Sequence, residues 1–211
     1  MRNLQNIPTI STNTKIINCY PTIRKTRCKC KIELVNPTSH RRHDVEKFIK
    51  RSYKNNFSAD LKSFFPLILT VINIEDNSIM GALGIRYANE GALFSESYLT
   101  NSIENSIFEL QQSVIDRSKI IELGNFVVNS KEDIKFVIPK VSQFIKSLDV
   151  DWAVYTLTRP IKSYFNKFGI KLNYLHDANI ESINSAASDW GTYYRFNPAV
   201  YYSSVKNNMN Y

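Results

Sequence analysis

The stretch "IIELGNFVVNSKEDIKFVIPKVSQFIKSLDVDWAVYTLT" (Ile120–Thr158) reads as a strand, a polar loop, an amphipathic helix and a second strand. The first strand is largely apolar, as expected when both of its faces are covered. Ile134, Val137, Ile138, Val141, Phe144, Ile145 and Leu148 recur at helical spacing, and "DWAVYTLT" is again strand-like. A right-handed crossover then sets the two strands side by side and parallel. In many such units a glycine-rich loop lets the helix N-terminus bind a phosphate. Here "NSKEDIKFVIPK" has no glycine, and Glu132 and Asp133 would repel a pyrophosphate. Ser130 and Asp133 instead spell an S-x-x-D capping box, which satisfies the helix start internally. Pro139 is expected to kink the helix or to delay its start.

Working outward, "CKCKIELVN" alternates as a strand and is closed by Pro37. Val45, Phe48, Ile49 and Tyr53 mark a helix with Ser39 as its expected N-cap. Two apolar runs around "EDNS" predict a β-hairpin, and Ile103, Ile107, Leu110 and Val114 share one helical face. "RPIKSYFNKFGI" is a short helix with Pro160 in its first turn and Gly169 as its stop, followed by "KLNYLH" and a late strand in "GTYYRFNPAVYYSSV". The order β-α-β-β-α-β-α-β-α-β-β predicts an α/β (α+β) fold, a central twisted mixed sheet with helices on both faces. It is the order expected of the GNAT acyltransferase fold, in which two central strands splay apart around an acyl thioester's pantetheine arm. Residues 1–27 read as a polar arm, 28–205 as a single domain and 206–211 as a tail.

Residues 1–55 hold 13 Lys and Arg against Glu33, Asp44 and Glu46, a balance of +10, and the rest of the chain sums to −2. The basic third predicts either an anionic partner or a plain solvated surface. The arm lacks an apolar h-region and the chain has no long apolar run, so neither a signal peptide nor a membrane span is expected and the protein reads as cytoplasmic. Cys19, Cys28 and Cys30 are not a disulfide framework, and with His40 and His43 they fit no standard zinc spacing, so no metal is expected.

"FSADLKSFFPLIL", "GALGIRYANEGALFSESYL", "RSKIIELGNFVV", "WAVYTLTRPIKSYFNKFGI" and "WGTYYRFNPAV" occur in that order. Together they resemble the thermostable hemolysin family, a bacterial group with a GNAT-like fold, over roughly Ser39 to Val205. More distantly, "IIELGNFVV" is similar to the E-x-S-R-x-x-V strand of acyl-homoserine-lactone synthases. Glu122 matches that glutamate, whereas Gly124 and Asn125 replace the Ser-Arg pair.

The resemblance implies an acyltransferase that moves an acyl group from a phosphopantetheine thioester to the amine of a small molecule. The crowded "NSKED" loop points to an acyl carrier protein rather than CoA as donor, and an acidic carrier would complement the basic third. Glu122 is read as general base, with a structural ion pair as the alternative. Its alternating set is Glu122, Gly124, Phe126 and Val128, and Ile121, Leu123 and Val127 point the other way. A bulge at Gly124 would free backbone N–H groups of Asn125 and Phe126 for the thioester oxygen. Arg86, Glu96 and Tyr98 are candidates to orient a polar acceptor, Arg86 by gripping a carboxylate, against an Arg–Glu salt bridge closing the loop. Trp190, Tyr193 and Tyr194 form an aromatic wall or part of the core. Thr156, Thr158 and Arg159 end the second strand, where pantetheine contacts would fall. Other expectations kept open are a membrane-active hemolysin and a catalytically silent GNAT-like binding protein. A nucleic-acid binder ranks below them for want of a motif.

Overall fold

The computed structural model describes residues 29–183 and 187–206. The expected arm, Cys19, Cys28 and the tail beyond Lys206 lie outside them. Strand β1 (Cys30–Val35) precedes α1 (Arg42–Phe57), and the hairpin β2 (Leu67–Asn73) and β3 (Ile79–Tyr87) follows. Next come α2 (Ile103–Gln111), β4 (Ile120–Val128), α3 (Ile134–Lys146) and β5 (Trp152–Leu157). α4 (Arg159–Lys167), β6 (Asn173–Asp177) and β7 (Ala199–Ser204) complete the order that the periodicity predicts.

The seven strands form one sheet in the order β1-β2-β3-β4-β5-β7-β6. All neighbours are antiparallel except β4 and β5, which are parallel as the crossover requires. One face packs Leu69, Leu83, Ile121, Ala153 and Tyr201 against α3 and α4. The other packs Ile68, Ala82 and Val127 against α1, and Ile120, Val154 and Val200 against α2. The central strands β2 to β5 and β7 thus alternate between two covered faces, which is why they read as nearly continuous apolar residues, whereas the edge strand β6 is largely exposed.

Two local expectations shift. Ser39 does not cap α1, because its hydroxyl donates to Asn36 Oδ1 (2.9 Å) and accepts from Asn36 N–H (3.0 Å), closing a turn before the helix. Helix α2 stops at Gln112, whose φ of 52° is left-handed, so Val114 leaves the apolar stripe and is 92% exposed. Pro139 lies inside α3, which starts at Ile134 and continues through it to Lys146.

Candidate active site

β4 and β5 pair only from Ile120 to Leu123 and from Trp152 to Tyr155. Beyond that point β4 stays with β3 as far as Val128, and β5 stays with β7 as far as Leu157. The centre of the sheet therefore opens between Gly124 and Thr156. A cleft of about 380 Å³ lies over this opening on the α1 side, lined among others by Tyr53, Arg86, Glu122, Asn125, Thr156 and Trp190.

The edge of the opening is shaped by a bulge. Gly84 pairs with Gly124 but Ala82 pairs with Val127, so Asn125 and Phe126 together oppose one residue of β3. Asn125 takes a φ of 48° to make this turn. An inserted residue reverses the facing of everything after it. Phe126 and Val128 therefore join Ile121 and Leu123 against α3, and Val127 packs on the α1 side with Ile68 and Ala82. The simple alternation through Glu122, Gly124, Phe126 and Val128 is thus corrected at Asn125. Phe126 meets Phe165 edge-on, with centroids 5.5 Å apart, below the opening. On the cleft side, Asn125 lies against the Tyr53 hydroxyl, whose pKa burial pushes up to about 12. Asn125 Oδ1 and Thr156 Oγ1 are buried beside the opening with no hydrogen-bond partner among the described residues.

Glu122 is 2% exposed. Its Oε1 accepts from Ser95 N–H (2.6 Å) and its Oε2 from Phe94 N–H (3.0 Å), at the start of the short 3₁₀ turn Phe94–Tyr98. Burial pushes the carboxyl above its usual range, and the two N–H groups and the Arg86 charge only partly offset it. Arg86 sits directly across the sheet from Glu122. The alternative of an Arg86–Glu96 bridge closing the loop is not formed. Glu96 is gripped instead by Arg117 (2.6 and 3.0 Å) and accepts from Leu93 and Ile103 N–H. Arg117 also reaches Glu104 and the carbonyls of Ala88 and Gly91, fastening the loop after β3 to α2.

The candidates divide accordingly. Arg86, Glu122, Asn125, Thr156, Trp190 and Tyr193 meet at the cleft. Phe126 faces the far side of the opening, where it lines a smaller apolar cavity under α3 and α4. Tyr98 is buried behind the cleft with its hydroxyl 2.6 Å from that of Tyr194. Thr158 is the buried residue before α4, and Arg159 opens that helix on the surface. Tyr193 belongs to the α1 core, stacked on Tyr53 at 6.1 Å, and Trp190 stacks on Phe94 at 5.7 Å.

Sequence reasoning missed the strap between α1 and β2, which supplies Asp60 to Phe65 to the cleft. Phe65 lies across the paired Gly84 and Gly124, and a Cβ on either would come within 2.6 Å of its ring. Two isolated glycines in apolar strands were the available signal, since such glycines mark a close approach. Ser130 Oγ accepts from Asp133 N–H (3.2 Å) and donates to Asp133 Oδ2 (2.9 Å), which closes the turn before α3. The helix itself starts at Ile134 with Asp133 as N-cap and no side-chain cap hydrogen bond, so the expected box lies one turn ahead of the helix start. Among the described residues no cluster of three or more His, Cys, Asp or Glu is arranged to hold a metal, and no helix is long and apolar enough to cross a membrane.

The sequence profile of the family described as thermostable hemolysin matches residues 35–209. No curated protein matches the chain. Among solved structures it is similar to the AHL synthase LasI, with a TM-score of 0.54 and 10% identity over 86% of this chain and 97% of that one. FeeM, an N-acyl amino acid synthase from uncultured soil microbes, gives a TM-score of 0.54 at 10% identity over 85% and 96%. MesI, a CoA-dependent acyl-homoserine lactone synthase, gives 0.51 at 17% identity over 83% and 89%. At these identities the likeness establishes a shared GNAT-like fold.

Proposed function

The chain belongs to the thermostable hemolysin family, and we propose that it is an N-acyltransferase, taking an acyl group from a carrier-protein thioester to the amine of a small molecule. The observation that carries this reading is the parting of β4 and β5 beside a buried carboxylate and a backbone bulge. A pantetheine arm is a thin chain of amides that fits between separated strands. The unpartnered Asn125 Oδ1 and Thr156 Oγ1 at the opening are suited to its polar groups.

The acceptor nitrogen attacks the thioester carbonyl from the cleft. Backbone N–H groups at Asn125 and Phe126 stabilise the oxygen as it gains charge. The C–N bond forms and the C–S bond breaks. Glu122 takes the proton from nitrogen and returns it to the departing thiolate. Its raised pKa brings it nearer the range of a working base than a solvated carboxylate would be.

The donor choice rests on the segment leading into α3, which has no glycine and carries Glu132 and Asp133, whose charges oppose a pyrophosphate at that helix start. A carrier protein brings a single phosphodiester and its own protein contacts. Its acidic surface suits exposed Lys47, Arg51 and Lys54 of α1 and the +10 balance of residues 1–55. On this reading the protein acts in the cytoplasm, in keeping with the lack of a long apolar run in the sequence.

A second reading, a catalytically silent binding protein, is favoured by one observation: both oxygens of Glu122 already accept backbone N–H groups. Intact-mass measurement with acyl carrier proteins, acyl-CoAs and a panel of amines separates the two. The proposal expects amide product from the carrier-bound donor at higher kcat/KM than from CoA. Thioester binding without turnover would leave the silent reading, and red-cell lysis by pure protein without any acyl donor would point to a membrane-active factor.

A further inference from the structure

We infer that the acceptor is a free amino acid, held by its carboxylate on Arg86 with its amine turned towards Glu122. This rests on the acyl-transfer reading of the cleft and names its substrate.

Among the described residues lining the cleft, Arg86 is the cation without a direct ion-pair partner, the nearby Glu122 acting on it only through space. Its guanidinium donates a single 3.2 Å hydrogen bond to the Ala92 carbonyl and lies 5.3 Å from the centre of the Phe65 ring. It forms no ion pair among the described residues. The remaining charges at the cleft offset one another. Lys62 and Lys50 both reach Asp60, and Lys62 lies near Asp189. Glu122 is the other exception, buried and turned to the 3₁₀ turn rather than to Arg86.

The two side chains come from directly opposed residues of β3 and β4. Such pairs hold their Cβ atoms roughly 4.5–5.5 Å apart on one face of the sheet. An α-amino acid carries its amine and its carboxylate on one carbon, so it can span a guanidinium and a carboxylate set that close. A planar guanidinium steadied on a ring offers two parallel N–H donors, the geometry that suits a carboxylate. Decarboxylated amines and neutral alcohols would leave those donors and the charge unanswered. The third substituent of the same carbon meets Phe94, Trp190 and Tyr193, a wall that suits an apolar or aromatic side chain over a charged one.

The test uses the full chain with a carrier-bound acyl donor and two acceptors, phenylalanine and its decarboxylated counterpart phenethylamine. The inference expects wild type to favour phenylalanine at least tenfold in kcat/KM. Arg86→Met keeps the packing on Phe65 and should cut that preference at least tenfold, mainly through KM, and Arg86→Lys should cut it less. Titration calorimetry with phenylalanine alone, run on wild type and Arg86→Met, reads the same contact without turnover. Equal use of the two acceptors by wild type, or a preference unchanged in Arg86→Met, overturns the inference while leaving acyl transfer intact. Absence of any transfer counts against the enzyme reading instead. Calorimetry then decides this one: binding that weakens at least tenfold in Arg86→Met upholds the carboxylate site, and no binding by wild type overturns it.

Discussion

Adding one methyl group at Gly124 should set the strap against the sheet. A Cβ there would lie 2.5 Å from Phe65 Cζ and 2.6 Å from Cε2. Ordinary carbon contacts sit at about 3.5–4.0 Å, so the ring must retreat by roughly 1 Å. It has little freedom to do so. Gly84 lies under the other end of the ring, where a Cβ would come 2.6 Å from Cγ. Arg42 holds the Phe65 and Pro66 carbonyls at 2.8 and 3.1 Å. Overpacking of this kind costs about 1–3 kcal/mol, offset in part by the roughly 0.4–1 kcal/mol that replacing glycine gains in the unfolded chain. Gly124→Ala should therefore lose about 1–2 kcal/mol, or a few degrees in Tm. Phe65→Ala alone should cost about 3 kcal/mol through the cavity it leaves. In the double variant the methyl enters that cavity, so the combined loss should fall short of the sum by at least 1 kcal/mol. Urea unfolding of the four proteins measures this coupling. Additivity to within about 0.5 kcal/mol would mean that the ring does not rest on Gly124 and would refute the reasoning.

Two further substitutions probe the frame of the site. Arg117→Ala strips the cation from Glu96 and Glu104, both part-buried, and should cost about 2–3 kcal/mol at pH 7. Burial alone would raise both carboxyl pKa values, but bonds from Arg117 and backbone N–H groups hold them below the usual range. That stability is present above the unfolded value near about 4.3 and is lost as pH falls through the folded values. The gap between wild type and Arg117→Ala should accordingly narrow in acid, and denaturation at pH 7 and pH 3 that gave equal gaps would contradict it. Asn125→Val puts a β-branched residue at a φ of 48°. It should be less stable than Asn125→Gly by about 1 kcal/mol or more, and equal midpoints would count against a bulge with this backbone.

The strand, helix and strand of Ile120–Leu157 were legible because burial on both faces imposes long apolar runs and the 3.6-residue period survives between them. The side of the sheet on which each β4 residue lies was not fully legible. A period of two cannot register one inserted residue, and Asn125 reverses the facing of Phe126, Val127 and Val128. Glu96 stood out beside the nearby Arg86, but its partner Arg117 lies 21 residues away, a long-range contact that sequence spacing does not mark. Ser39 and Val114 failed for a local reason, because a turn at Asn36 and a left-handed Gln112 override cap preference and stripe. The role of Phe65 depends on which ring comes to rest on Gly84 and Gly124, a long-range contact that no spacing encodes.

Acyl transfer on this reading depends on Glu122, buried beside the opening between β4 and β5, taking the proton from the acceptor amine. Single-turnover acyl transfer from a loaded carrier protein, wild type against Glu122→Gln, tests it most directly. Gln keeps the side-chain size and one oxygen for the N–H groups of Phe94 and Ser95, and thermal melts show whether the fold is retained. Transfer by Glu122→Gln should be slowed about 10²–10⁴-fold with carrier binding intact. Transfer by folded Glu122→Gln at the wild-type rate would contradict it.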